Sequence, residues 1–209
     1  MDDPKQIVAR GYDAIALRYA EWAAATQGPT IDWVRDLLGR LRPGSDVLDL
    51  GCGRGVPATR ELAKEHRVVG VDISRAQIEL ARHHVPEATF VHADAAELEL
   101  PRASFDAVVS LYMLSHVPRA EQGPLLEQIH GWLRPRGWFL GAMGVGGSDD
   151  AVEEDWLGAP MFFASHDADT NRAIVGGTGL EIERDSVIEI DEPGHGPVSF
   201  MWLLARKPE

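Results

Sequence analysis

Three glycines in five residues, Gly51, Gly53 and Gly55, follow the apolar run 46–50, and two carboxylates flank them. Asp49 stands two residues before the first glycine, and Asp72 stands 21 residues after it. Glycines between a strand and a helix let the backbone approach a ligand closely, and a helix N-terminus favours negative groups. A carboxylate ending the next strand can accept both hydroxyls of a ribose. The pattern therefore predicts capture of an adenosine-type ligand; the competing role for Asp72 is to cap the helix after Ser74. The dinucleotide fingerprint G-x-G-x-x-G would put its third glycine one place beyond Gly55.

Other residues able to do chemistry are scattered. His116 follows an apolar run, 105–111, and could take a proton from a hydroxyl or amine near neutral pH. The alternative is that its His-Val-Pro stretch only shapes a turn. His166 and His195 are read as rim or turn residues near a substrate. His166, Asp167 and Asp169 are too close in sequence to converge on one point, so no metal centre is expected. The lone cysteine, Cys52, is read as a small packed residue, and no disulfide can form within the chain. Asp149, Asp150, Glu153, Glu154 and Asp155 read most simply as a solvated loop, or else as an attraction for a cationic substrate.

The elements needed to position these groups follow from periodicity. Short apolar runs at 46–50, 67–71, 89–92, 105–111 and 137–142 alternate with helical patterns at 57–65, 74–84 and 119–133. Strands alternating with helices predict an α/β fold with an open, doubly wound parallel sheet. Residues 5–26 read as one or two short helices, and Thr30 opens another. Beyond the acidic, glycine-rich and then aromatic stretch 145–167, a helix is expected at 168–177. Two strands, 179–190 and 197–208, should then be joined by a hairpin-like turn at 191–196, making the last pair antiparallel.

The 209 residues carry a net charge of −13, are 44% hydrophobic and contain no apolar run near the length of a bilayer. One domain spanning 1–209 is expected. An acidic surface repels a phosphate backbone, so nucleic acid is not an expected partner. The start lacks the blocks of a signal peptide, and a cytoplasmic protein with no membrane partner is expected. Nothing in the sequence speaks to oligomeric state.

Asp49-x-Gly51-x-Gly53-x-Gly55 resembles the E/D-x-G-x-G-x-G loop of class I, Rossmann-like S-adenosylmethionine (SAM) methyltransferases. Further stretches are similar: "FVHADAAELELP" (90–101), "FDAVVSLYMLSHVP" (105–118), and "LEQIHGWLRPRGWFLGAM" (126–143), in which Arg136 replaces the first glycine of the family's L-x-P-G-G. Together they cover roughly 40–145, and Val56-Pro57 is a departure from the usual loop. The resemblance implies a seven-stranded sheet in the order 3-2-1-4-5-7-6 with strand 7 antiparallel. It also implies a helical lid at 1–42 and a substrate cover at 145–167.

SAM is the implied cofactor. Its contacts would come from Tyr12, Tyr19, Asp49, Gly51, Cys52, Gly53, Gly55, Asp72, Ile73, Asp94, Ala95 and Leu111, with Asp94 meeting the adenine amino group. Tyr19 with Trp22 could instead be only the buried face of a helix. The small-molecule acceptor would meet Tyr112, His116, Phe162, Phe163, His166 and His195, and oxygen is the expected acceptor atom. Met161, Phe200, Met201 and Trp202 are further candidates for an apolar wall, although Met201 must face opposite to its neighbours. The alternatives are an NAD-dependent oxidoreductase and a SAM-binding protein that transfers nothing.

Overall fold

Apolar side chains alternate along each central strand, and the alternation decides which helices each face of the sheet receives. On β1 (Asp46–Leu50), Leu48 and Leu50 point to one side and Val47 to the other. Neighbouring strands repeat this, with Val108 opposite to Ala107 and Val109, and Phe139 opposite to Leu140. The computed structural model describes residues 3–147 and 149–209; Ser148 of the stretch 145–167 lies outside them.

The order along the chain is α1 (Pro4–Ala25), α2 (Thr30–Leu38), β1, α3 (Ala58–Leu62), β2 (Arg67–Asp72), α4 (Arg75–His84) and β3 (Thr89–His92). Then come β4 (Phe105–Leu111), α5 (Arg119–Trp132), β5 (Leu133–Gly144), β6 (Ala151–Trp156), β7 (Ala159–Phe163), α6 (Ala168–Gly177), β8 (Glu181–Glu192) and β9 (Gly196–Arg206). Seven strands form one sheet, in the order β3-β2-β1-β4-β5-β9-β8. The first five are parallel, and β9 runs antiparallel to both β5 and β8. Counting only strands of this sheet, the order is the expected 3-2-1-4-5-7-6.

α5 and α6 cover one face through Leu125, Leu126, Ile129, Trp132 and Val175. α2 covers the other with Trp33, Val34 and Leu37, and Trp33 stacks on Trp202 with ring centroids 6.0 Å apart. Each fully buried side chain of this kind stabilises the fold by about 1.5–3 kcal/mol. Met201 enters the α5 side while Phe200 and Trp202 enter the α2 side, as strand alternation requires.

Two regions sharpen or change the expectation. The N-terminal segment, read as one or two short helices, is one long helix, and Gly11 in its middle is a contact, not a break. A Cβ on Gly11 would lie 2.7 Å from the Pro160 carbonyl oxygen and 2.8 Å from Met161 Cε, so only glycine lets α1 approach β7 this closely. The acidic stretch is also not a plain loop: β6 and β7 pair as an antiparallel hairpin outside the main sheet. Glu153, Glu154 and Asp155 have poor strand propensity and sit exposed on β6, so no period-2 apolar signal survives there.

Smaller shifts occur elsewhere. α3 is shorter than the 57–65 pattern and starts after a cis Val56–Pro57 bond. Arg136 adopts a left-handed φ of 68°, the conformation for which the family pattern has glycine. No helix among the described residues is long and apolar enough to cross a membrane.

Candidate active site

The glycine loop is held by backbone bonds from both sides. Gly51 N and Cys52 N donate to the Val71 carbonyl at 2.8 and 3.0 Å, which ties the end of β1 to the end of β2. Gly51 has φ +68°, and a Cβ there would overlap the Met113 side chain at 2.4 Å. Gly53, at φ +52°, is different: its Cβ would meet nothing nearer than Gln77 Oε1 at 3.9 Å. Gly55 faces away from the cleft, where its Cβ would press on Ala81 of α4 and on Val85 just beyond it. The first two glycines shape the cleft and the third lets α4 pack.

Asp72 is tied into this loop. Its Oδ2 accepts from Gly53 N at 2.8 Å and its Oδ1 from Ser74 N at 2.9 Å. Each carboxylate oxygen keeps a further lone pair for a ligand hydroxyl. Burial pushes the Asp72 carboxyl up to about 6 despite those two bonds. Asp49 is buried behind the loop, accepts from Thr59 Oγ1 at 2.6 Å, and is also pushed up to about 6, chiefly by burial. Burial, with the charges of Asp49 and Asp72, holds the Cys52 thiol well above its usual range, so it is a packed thiol and not a thiolate.

Two cavities meet at the carboxyl ends of β1, β2 and β4, where open α/β sheets place their ligands. A narrow one of about 90 Å³ is lined by Asp72, Ile73, Asp94, Ala95, Met113 and Lys5, among others. A wide one of about 970 Å³ runs from Asp49, Cys52 and Arg54 outward to Trp22, Trp156 and Phe163. Tyr12, Tyr19, Gly51, Gly53, Leu111, Tyr112 and His116 line both. Tyr112 closes β4 at φ +68°, with its ring edge-on to Phe200 and Trp202.

At the junction the Tyr12 hydroxyl lies 2.8 Å from His116 Nε2, and His116 Nδ1 lies 2.8 Å from the Phe162 carbonyl oxygen. A carbonyl can only accept, so Nδ1 carries the proton and Nε2 receives the Tyr12 hydroxyl. Burial pulls the His116 imidazole down to about 4, against the pull of the Phe162 bond, so the ring is neutral near pH 7. Burial likewise pushes the Tyr12 phenol well up. The sequence singled out these two residues separately; the fold makes them a pair.

Other candidates fall elsewhere. Phe162 is buried with Val8, Ile15 and Met161, and its backbone carbonyl alone serves His116. Phe163 and His195 line the wide cavity. His166 lines neither cavity; its Nδ1 accepts from Arg119 Nε at 3.3 Å. Asp94 is at the narrow cavity, but its Oδ2 already pairs with Lys5 Nζ at 3.1 Å. Lys5 also reaches Glu121 at 2.7 Å, and no local signal in the sequence marks it, because its partners lie on distant elements. Within the acidic stretch, Asp149 and Asp150 bind Arg119, while Glu153 faces the wide cavity beside His195. Trp22, Trp156 and Glu192 complete that cavity without having been singled out as site residues.

Comparison with known proteins bears on this arrangement. Residues 47–137 match the family described as a methyltransferase domain. The chain is 35% identical, over 152 residues, to 27-O-demethylrifamycin SV methyltransferase of Amycolatopsis mediterranei (strain S699), covering 62% of this chain and 55% of that protein. The chain spans about half the length of the curated relatives it matches. In fold it is similar to magnesium protoporphyrin IX methyltransferase from Synechocystis PCC 6803 with bound SAM, with a TM-score of 0.76, 21% identity, and 99% and 98% of the two chains covered. It is also similar to a [4+2]-cyclase, SpnF, with a TM-score of 0.73, 18% identity, and 99% and 97% covered. The shared fold therefore does not by itself prescribe the reaction.

Proposed function

Taking residues 47–137 as a methyltransferase domain of the class I, SAM-dependent superfamily, we propose that this chain transfers a methyl group from SAM to a small-molecule acceptor, at oxygen. One observation carries the proposal: the narrow and wide cavities share a wall at Tyr12, Leu111, Tyr112 and His116, so a donor in one faces an acceptor in the other. The residues present fit SAM. Asp72 has free lone pairs for two ribose hydroxyls, and the space beside Gly53 is one that a side chain would fill.

When bound, SAM supplies a methyl group on a positively charged sulfur, open to in-line displacement. Asp72, Ile73 and Ala95 would hold the adenosine, and the glycine loop with Arg54 would border the amino-acid part. Tyr12 and Tyr19, both on α1, close over the junction and exclude water. An acceptor hydroxyl gives its proton to the Tyr12 oxygen while the Tyr12 proton moves to His116 Nε2, leaving Tyr12 neutral and His116 protonated. A base held near pKa 4 takes that proton late, after the oxygen has committed its electron pair. Alignment supplies the larger share, from the roughly 7–11 kcal/mol available to well-oriented reactants.

Incubation with isotopically labelled SAM and a panel of hydroxylated metabolites, followed by mass spectrometry, tests the reading. A product heavier by one labelled methylene unit is expected. SAM binding without any such product would leave a binding protein of this fold.

A further inference from the structure

The outer end of the wide cavity has a chemistry that methyl transfer alone does not call for. Trp22 of α1, Trp156 of β6 and His195 of the β8–β9 turn meet there, and Phe163 of β7 joins them. The Trp22 and Trp156 rings stand at 72° with centroids 5.6 Å apart, and Trp156 lies 5.5 Å from Phe163 at 79°. His195 lies 6.3 Å from Trp156 and 6.5 Å from Trp22. Trp22 is fixed in place because its Nε1 donates to the Pro193 carbonyl at 2.9 Å.

Two carboxylates open into the same space, Glu192 from β8 and Glu153 from β6. Among the described residues no Lys or Arg forms an ion pair with either. The nearest partner is His195, whose Nδ1 is 3.8 Å from Glu153. Arg54, the sole Lys or Arg among the described lining residues, belongs to the glycine loop at the other end. Burial and the neighbouring Glu153 push the Glu192 carboxyl up to about 7, the behaviour of a carboxylate lacking a counter-charge.

The geometry points to an acceptor that carries an ammonium group, held between Glu192 and Glu153 and beside Trp22, whose other side stacks on Tyr19, and the edge of the cavity-lining Trp156, with its reacting hydroxyl toward Tyr12. Aromatic faces attract cations most strongly where water is excluded, and a half-buried carboxylate beside them adds a direct counter-charge. The chain's net charge of −13 favours the approach of such a molecule. This assignment rests on the methyltransferase reading for its word acceptor, but its recognition chemistry can be measured without turnover.

The test uses the full chain, with and without saturating S-adenosylhomocysteine (SAH), and two probes of nearly equal shape, 2-phenylethylammonium and 2-phenylethanol. Tryptophan fluorescence and calorimetry at pH 8 read their affinities. The ammonium is expected to bind about tenfold more tightly than the alcohol. Glu192→Gln should erase most of that preference with SAH affinity unchanged, and Trp156→Leu should weaken the ammonium more than the alcohol. Equal binding, preference for the alcohol, absence of binding by either at millimolar concentration, or a preference that survives Glu192→Gln would each overturn the assignment. SAH affinity, measured on the same samples, reports separately on the cofactor reading.

Discussion

The two halves of the cleft are built on different principles. The narrow half has a floor of backbone, Gly51, Gly53 and the ends of β1 and β2, with Asp72 satisfied by two main-chain N–H groups, and walls of side chains such as Asp94 and Met113. The wide half is made by side chains that converge from α1, β6, β7 and the β8–β9 turn, and its Glu192 has no counter-charge among the described residues. A backbone cradle accepts one ligand shape and resists change. A side-chain cavity is altered by any single substitution, which suits it to setting which acceptor a shared reaction serves.

The largest effect is expected at the cradle. Gly53→Val should abolish SAH binding in calorimetry because its side chain enters the ligand space; the left-handed φ of +52° also strains a branched residue, so circular dichroism should show a folded chain of lowered melting temperature. Gly51→Ala should instead destabilise the fold, since its Cβ overlaps Met113. Equal SAH affinity in wild type and Gly53→Val would mean that the loop is not the binding cradle.

Next comes the junction. His116→Ala is expected to slow methyl transfer by about 10²–10⁴-fold with little change in SAH affinity. Because the ring is held near pKa 4, the wild-type rate should show no loss from imidazole protonation between about pH 5.5 and 8. A rate that falls less than about threefold in a folded variant would leave alignment alone as the mechanism.

A smaller effect is expected at Asp72. Asp72→Ala should weaken SAH by roughly 10–150-fold, equivalent to about 1.5–3 kcal/mol of lost charged hydrogen bonds. Calorimetry reads it directly, and an unchanged affinity would return Asp72 to the role of a loop brace.

The smallest effect belongs to the wide half and is a matter of pH. Glu192 in the folded chain holds its proton up to about 7, against an ordinary 4.5. Between those values the native state binds more protons than the unfolded state, so this group's contribution to stability falls as pH rises. Glu192→Gln removes that fall. Its melting temperature relative to wild type should therefore rise from pH 4.5 to 7 and level off above, by about 2 °C or less for a partly exposed group. A variant advantage that shrinks over this range would contradict the unpaired carboxylate.

The same contrast explains what the sequence disclosed. The cradle is local: a strand, three glycines and an acid at fixed spacing stand within 24 residues, from Asp49 to Asp72, so its residue types announce it. Even there, Gly55 belongs to the pattern but faces α4, because spacing does not say which way a backbone turns. The wide half is non-local. Tyr12 and His116 are 104 positions apart and Trp22 and Pro193 are 171 apart, so no window could pair them. Phe162 had the apolar character of a pocket wall, yet it faces the core, since a hairpin hidden by its acidic composition sets its direction.

If the narrow half holds SAM and not a dinucleotide, calorimetric titration of the full chain should give micromolar binding of SAH, as an order of magnitude, and, separately, no binding of NAD. Binding of NAD, or no heat with SAH from a folded sample, would overturn that assignment.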